Sequence, residues 1–185
     1  MSEFFPLTIT EVRPEANDAI QVVLEVPEPR AMLNKRRGES SCTELFSLLD
    51  AVKDPELPVL SIWDLGILQD VREKDGAVTV TITPTYSGCP AMQQIADDIE
   101  SVLLEAGYKE VFVEQRLSPA WTTDWLDAGA RKRLVEYGVA EPAKAACPQC
   151  GSEDVQVVSE FGSTACKAML KCMSCLEPFD QFKRL

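Results

Sequence analysis

Residues Gly66–Met92 read GILQDVREKDGAVTVTITPTYSGCPAM, and this stretch decides how the main domain is built. Two extended runs flank Lys74-Asp75-Gly76, a good hairpin turn because glycine takes positive φ at little cost. Behind Gly88-Cys89-Pro90 an amphipathic helix follows. Met92, Ile95, Ile99, Val102 and Leu103 line its inner face, and Gly107 is its C-terminal cap. EVFVEQ (Glu110–Gln115) makes a third strand. Upstream, Ser41 and Glu44 form a capping-box pattern. Leu45, Leu48, Leu49 and Val52 then repeat at helical spacing until Pro55 and Pro58 stop the helix. Downstream, TTDWLDAGARKRLVEYG gives a last helix, started by Thr122 or Thr123 and closed by Gly138. The order helix, strand, strand, helix, strand, helix predicts an α+β domain over residues 41–138, with helices covering one face of a small sheet.

Both flanks differ from this body. Residues 1–31 form an N-terminal extension with two alternating segments, Leu7–Val12 and Ile20–Val26, which predict two strands joined by a polar turn. Two strands alone are marginal in water. Pro27, Pro29 and the basic run to Gly38 read as a linker, with Asn34–Gly38 a solvated cluster. At the other end, residues 145–185 collect the cysteines. Cys147-x2-Cys150 and Cys172-x2-Cys175 stand 21 residues apart, with VQVVSEF and FDQFK as flanking strands. Each pair can aim two thiolates at one cation, and two such knuckles complete a tetrahedron. The expectation is a C-terminal zinc ribbon holding structural zinc rather than a rubredoxin-like iron. A four-thiolate site is closed to substrate, so its work is structural.

Composition narrows the function classes. The chain of 185 residues carries 18 basic and 30 acidic side chains, a net charge of −12. That field repels nucleic acid. Apolar runs fall far below the roughly 20 residues of a membrane span, and the N-terminus lacks the basic and apolar regions of a secretion signal. A cytoplasmic protein with free thiols is expected. Histidine is absent, which excludes Ser-His-Asp and Cys-His catalysis, a Glu-x-x-His di-iron site and a Rieske centre. No glycine-rich dinucleotide or phosphate-binding loop occurs.

Two further cysteines and a tryptophan pair raise questions. Cys89 should sit at or just before the first turn of its helix, with Pro90 in the first helical position. The positive end of the helix dipole would lower its pKa there; a buried structural cysteine is the plainer alternative. Cys166 lies between the two pairs and outside their pattern, as a small buried apolar side chain or as a contact or transfer residue on the ribbon surface. Trp121 and Trp125, four apart, read as a core pair, or as partner anchors if exposed.

DPELPV (Asp54–Val59), DLGIL (Asp64–Leu68) and VTITPTYSGCPAM (Val80–Met92) resemble the small α+β domain of iron–sulfur assembly factors, with their Asp-Pro-Glu and Thr…Cys-Pro motifs. LSPAWTTDW (Leu117–Trp125), SEFGSTACKAML (Ser159–Leu170), EPFDQFK (Glu177–Lys183) and the cysteine pairs narrow the resemblance. Over about Ser41–Leu185 it is to the PaaD-type accessory proteins of the phenylacetyl-CoA 1,2-epoxidase system. The resemblance implies an accessory, non-catalytic role in phenylacetate breakdown, aiding maturation of a metal centre such as the reductase's iron–sulfur cluster. It implies the reductase and oxygenase components as partners. Cys89 would hold iron or a cluster transiently, with Asp54, Glu56 and Asp64 shaping the pocket; for these acids a turn or cap role is the alternative. One cysteine cannot complete a cluster, so a transient or homodimer-shared site is the most it implies. A structural adaptor between oxygenase and reductase is the competing reading. Residues Phe4–Pro29 are similar to the opening of the reductase component, the first two strands of a flavin-binding barrel. The pattern stops at about Pro29 without a flavin motif, so this segment cannot bind flavin alone.

Overall fold

The computed structural model describes residues 8–14, 20–25, 29–142 and 144–184, with side chains from Arg30 onward. Its centre is the hairpin anticipated above. β3 (Leu68–Lys74) pairs antiparallel with β4 (Ala77–Ile82). The two residues between them, Asp75 (φ 54°) and Gly76 (φ 83°), both take positive φ, the turn whose twist matches the strands. β5 (Glu110–Gln115) joins β4 in parallel, giving the order β3-β4-β5. A parallel neighbour demands a crossover, and α3 (Ala91–Glu105) supplies it. Met92, Ile95, Ile99 and Leu103 of α3 are buried against Val78, Val80 and Ile82 of β4 and Leu45, Phe46 and Leu49 of α2 (Thr43–Leu49). Gly107 (φ 98°) ends α3 as its sequence requires.

Three local expectations change. The Ser41 capping box does not form: Cys42 occupies the cap without a side-chain bond, and its own N–H is held by Ser40 Oγ at 3.0 Å. Helix α2 accordingly starts late and is short; Phe46 fills the core while Leu48 faces outward at 39% exposure. The last helix is in two pieces. A 3-10 turn (Thr123–Trp125) capped by Thr122 stops at extended Leu126, and Asp127 then caps α4 (Ala128–Tyr137) by accepting the Gly129 N–H at 2.8 Å. Gly138 (φ 99°) closes α4 as expected.

The third change concerns the basic linker, which is helix α1 (Pro29–Glu39). Among the described side chains of α1, Leu33 is the one fully buried apolar residue, and arginines do the rest of the docking. Arg30, 9% exposed, donates to the carbonyls of Trp63 (2.6 Å) and Trp125 (3.1 Å) and lies over the Trp63 ring at 4.4 Å. Arg37 makes a bidentate pair with Asp50 and covers Trp63 at 4.7 Å. Planar guanidinium groups can stack and pair at once, which a count of charges cannot reveal. Ahead of α1, β1 (Thr8–Pro14) and β2 (Ile20–Glu25) pair antiparallel with a bulge between Ile9 and Glu11. The ends of the two expected strands at Leu7 and Val26 lie outside the described residues.

The C-terminal sheet has the order β6-β9-β8-β7, from β6 (Val139–Ala140), β7 (Val155–Ser159), β8 (Lys167–Cys172) and β9 (Pro178–Phe182). Strands β7 and β9 follow VQVVSEF and FDQFK; β8, which carries a zinc-type ligand at its end, is added by the structure. β6 leaves α4 directly and pairs in parallel with β9. The ribbon's own core is small: Ala140, Cys147, Ala168, Leu170, Cys172 and Phe179. Phe182 and Cys166 are instead buried in the main domain's core. No helix among the described residues is long and apolar enough to cross a membrane.

Candidate functional site

The four ribbon thiols converge. Their sulfurs all lie within 4.8 Å of one another, with Cys147–Cys175 and Cys150–Cys172 each at 3.6 Å. A tetrahedron with metal–sulfur bonds of about 2.3 Å has edges of about 3.8 Å, so the cluster fits zinc. The knuckle turns are built by backbone bonds, Gly151 N–H to the Cys147 carbonyl at 2.8 Å and Cys175 N–H to Cys172 Sγ at 3.4 Å. The Cys175 and Ser174 N–H groups outweigh burial and bring the Cys172 thiol down to about 6. The same cluster of thiols pushes Cys175 up to about 12 and raises Cys150, so metal binding would displace the protons these thiols still hold.

A second group of titratable side chains forms where loops of the main domain meet the ribbon. The DPELPV loop is pinched shut by the Lys53–Ser61 bridge and the Asp54 N–H to Leu60 carbonyl bond (3.0 Å). Within it, Asp54 Oδ1 accepts the N–H groups of Glu56 (2.9 Å) and Leu57 (2.8 Å), which turns Leu57 inward and leaves the Glu56 side chain half-buried. Glu56 Oε2 stands 3.9 Å from Cys166 Sγ. From another side comes the loop after β4. Gly88 (φ 93°) reverses the chain there, and the Cys89 N–H bonds the Tyr86 carbonyl at 3.2 Å. Cys89 and Tyr86 are part-buried against the same core that contains Cys166.

Electrostatics in this group reverse one expectation. Pro90 is the helix cap and Cys89 precedes it by one residue, so the first helical N–H, that of Ala91, acts on the sulfur without setting the sign of its shift. Burial pushes the Cys89 thiol up; the Ala91 N–H pulls it down, but Glu56, Asp54 and Cys166 add to the rise. Cys166 is raised by burial and by Glu56 despite the Thr164 hydroxyl 3.0 Å away. Asp54 is raised by burial, against the pull of its two N–H partners. Both thiols are therefore protonated at neutral pH.

The remaining predicted residues do not join this group. Asp64 binds the Ser61 N–H at 2.9 Å and pairs with Arg133 at 2.7 Å, as a turn residue. Burial pushes its carboxyl up, but the Ser61 N–H and Arg133 more than undo that, leaving it below its ordinary value. The sign follows: its carboxylate stabilises the fold above the unfolded pKa of about 3.9, and that contribution fades as pH falls through the lower folded value. After discounting for the exposure of Arg133, Arg133→Gln should cost about 0.5–1 kcal/mol at pH 7 and less below pH 4. Urea melts at the two pH values check this. Trp121 and Trp125 are buried, at 5% and 3% exposure, so neither is a partner anchor. Trp121 donates to the Leu65 carbonyl (2.9 Å) and meets Phe182 edge-on at 5.8 Å; Trp125 packs on Gly66, where a β-carbon would come within 2.6 Å. Cys166, at 5% exposure, is not on the ribbon surface either. Sequence reading missed its tie to Glu56, 110 positions away, because neither residue carries a local signal of the other.

Comparison with known proteins agrees with this two-part arrangement. Residues 43–114 match the family profile described as iron–sulfur cluster assembly protein, and residues 133–183 match the PaaD zinc beta ribbon domain. The chain is 45% identical over 150 residues to an Escherichia coli protein described as a candidate component of 1,2-phenylacetyl-CoA epoxidase, spanning 76% of this chain and 91% of that one. It is 36% identical over 93 residues to an Fe–S protein maturation auxiliary factor of Porphyromonas gingivalis, 49% of this chain and 88% of the relative. Among solved structures, a domain of unknown function from Bacillus anthracis aligns with a TM-score of 0.46 at 31% identity, over 56% of this chain and 92% of that domain.

Proposed function

Because the chain belongs to the PaaD family, in which an iron–sulfur cluster assembly domain is joined to a zinc ribbon, we propose that it is an accessory protein for metal-centre maturation. Its client in this reading is the iron–sulfur cluster of the reductase that serves the epoxidase in phenylacetate breakdown. The chain itself is neither the oxygenase nor an enzyme.

One observation supports the reading: the part-exposed Cys89 thiol lies within electrostatic reach of Glu56 and Asp54, while the four ribbon thiols cluster elsewhere. The chemistry of the pocket favours holding metal over attacking substrate. A thiol raised by burial and two carboxylates is a poor nucleophile at neutral pH, and the chain has no histidine to serve as its base. Metal binding displaces the proton instead, so a raised pKa makes the hold weaker and reversible, as a donor of cargo needs. Asp54 shapes the loop by capping Glu56 and Leu57, and Glu56 is the carboxylate left over to face the Cys166 thiol.

The test is made in cells. Reductase purified from cells carrying Cys89→Ser should contain severalfold less iron and acid-labile sulfide than reductase from cells with the native protein, at equal protein yield. Full cluster content with full epoxidase activity would end the maturation reading and leave a structural adaptor between oxygenase and reductase.

A further inference from the structure

The ribbon sheet ends differently at its two edges. On one side β6 is only Val139–Ala140, and both residues are buried; on the other, β7 has no strand beside it among the described residues. The ladder fixes which of its backbone groups are left over. Met173 N–H donates to the Asp154 carbonyl at 2.8 Å, so Val155 and Cys172 are a non-hydrogen-bonded pair, as are Val157 and Leu170 two residues on. The N–H and C=O of Val155 and Val157 therefore point away from β8, toward solvent. Cys172 agrees, since its own N–H turns to the far side, to the Glu177 carbonyl at 2.9 Å. The side chains are unfinished along the same edge. Phe179, Leu170 and Val157 lie in one cross-strand row; the first two are buried, while Val157 at the outer end is 53% exposed. Edge strands are commonly blunted by lysine or proline, and VQVVS has neither, only a register shift between Val157 and Ser159.

We infer that β7 is an acceptor edge for a strand of another protein, an extended apolar segment flanked by basic residues. Main-chain bonds to Val155 and Val157 would hold such a segment, and its apolar residue beside Val157 would complete the row of Phe179 and Leu170. Charge selects the occupant. Asp154 and Glu160 stand exposed at the two ends of β7, without an ion pair among the described residues; Glu153 is held by Lys144 at 2.8 Å. Lys171, a cation across the ladder, lies one strand inward opposite Gln156. A basic residue at each end of the added strand therefore meets a carboxylate. A second copy of this chain fits badly. Paired antiparallel with Val157 opposite Val157, it sets Asp154 against Glu160 at both ends, and each chain carries a net charge of −12.

Full-length protein with zinc in the ribbon is titrated with a short capped peptide of alternating valine and threonine that carries lysines at both ends, and with its twin carrying glutamates. The lysine peptide should bind and slow amide exchange at Val155 and Val157. The glutamate peptide should bind about tenfold more weakly or worse, a gap that narrows as salt rises from about 50 to about 500 mM. Val157→Pro deletes one outward N–H and leaves the ladder to β8 alone, so it should abolish the added protection at Val155 with zinc content unchanged. Should that variant lose its zinc or its circular dichroism, Val157→Lys decides: it keeps the backbone, sets a like charge against the lysine peptide and should weaken binding by about tenfold. Unchanged binding there overturns the inference, as do equal binding of the two peptides, protection confined to other strands, or no binding by the native protein. A dimer in sedimentation that Val157→Lys abolishes would give the edge to a second copy and overturn it as well.

Discussion

Cys172→Ser should empty the ribbon of zinc and unfold it while leaving the main domain's sheet intact. Structural zinc contributes about 10–16 kcal/mol to zinc-finger peptides at pH 7, comparable with an ordinary domain's whole stability. The ribbon has little else. Two of its six core residues, Cys147 and Cys172, are themselves ligands, and Val157, Val158, Phe161, Met173 and Leu176 face outward. Metal analysis should find the variant's zinc reduced to background. Amide exchange should lose protection in β7–β9 and keep it in β3–β5. Protection retained in β8 without zinc would show that packing alone holds the ribbon.

Trp121→Ala should be the most damaging change outside the metal site, at about 3–5 kcal/mol. Its indole is buried, its Nε1–H satisfies the Leu65 carbonyl, and its ring meets Phe182 of the last strand. Truncation opens a cavity and strands a buried acceptor, costing about 1–3 kcal/mol of that sum. Trp121→Phe keeps much of the packing and should lose only the hydrogen-bond share. Because the contact joins the two domains, the alanine variant should also split one urea transition into two, followed by circular dichroism. A loss under about 1 kcal/mol with a single transition would place the coupling elsewhere.

Much of the fold was legible because its signals are local. Asp75-Gly76 dictates a two-residue hairpin, Gly107 and Gly138 end their helices in left-handed conformations, and the apolar spacing of α3 admits one buried face. The cysteine pairs gave the metal site from spacing alone. What escaped depends on tertiary context. α1 reads as a solvated basic run because its arginines bury themselves on Trp63, a partner the local sequence does not announce. TTDWLDAGARKRLVEYG reads as one helix, but Leu126 is extended and Asp127 starts a new one. Of the candidate site, the motifs pointed to Asp54 and Glu56, which share one capped loop, to Cys89 on another loop, and to Asp64, which is paired with Arg133. The sign of the Cys89 shift could not be foreseen, since it follows from burial and from carboxylates in distant loops.

The order of assembly is constrained by where the ribbon's last strand lies. β9 sits between β6 and β8, and its Phe182 completes the core begun by Leu45 and Phe46. During translation all four ligand cysteines therefore leave the ribosome before the strand that finishes both halves of the molecule. At about 5–20 residues per second the interval is short, yet a nascent chain can seize zinc before its first domain has closed. A chain cut just before Pro178 would keep every thiol and seal neither core.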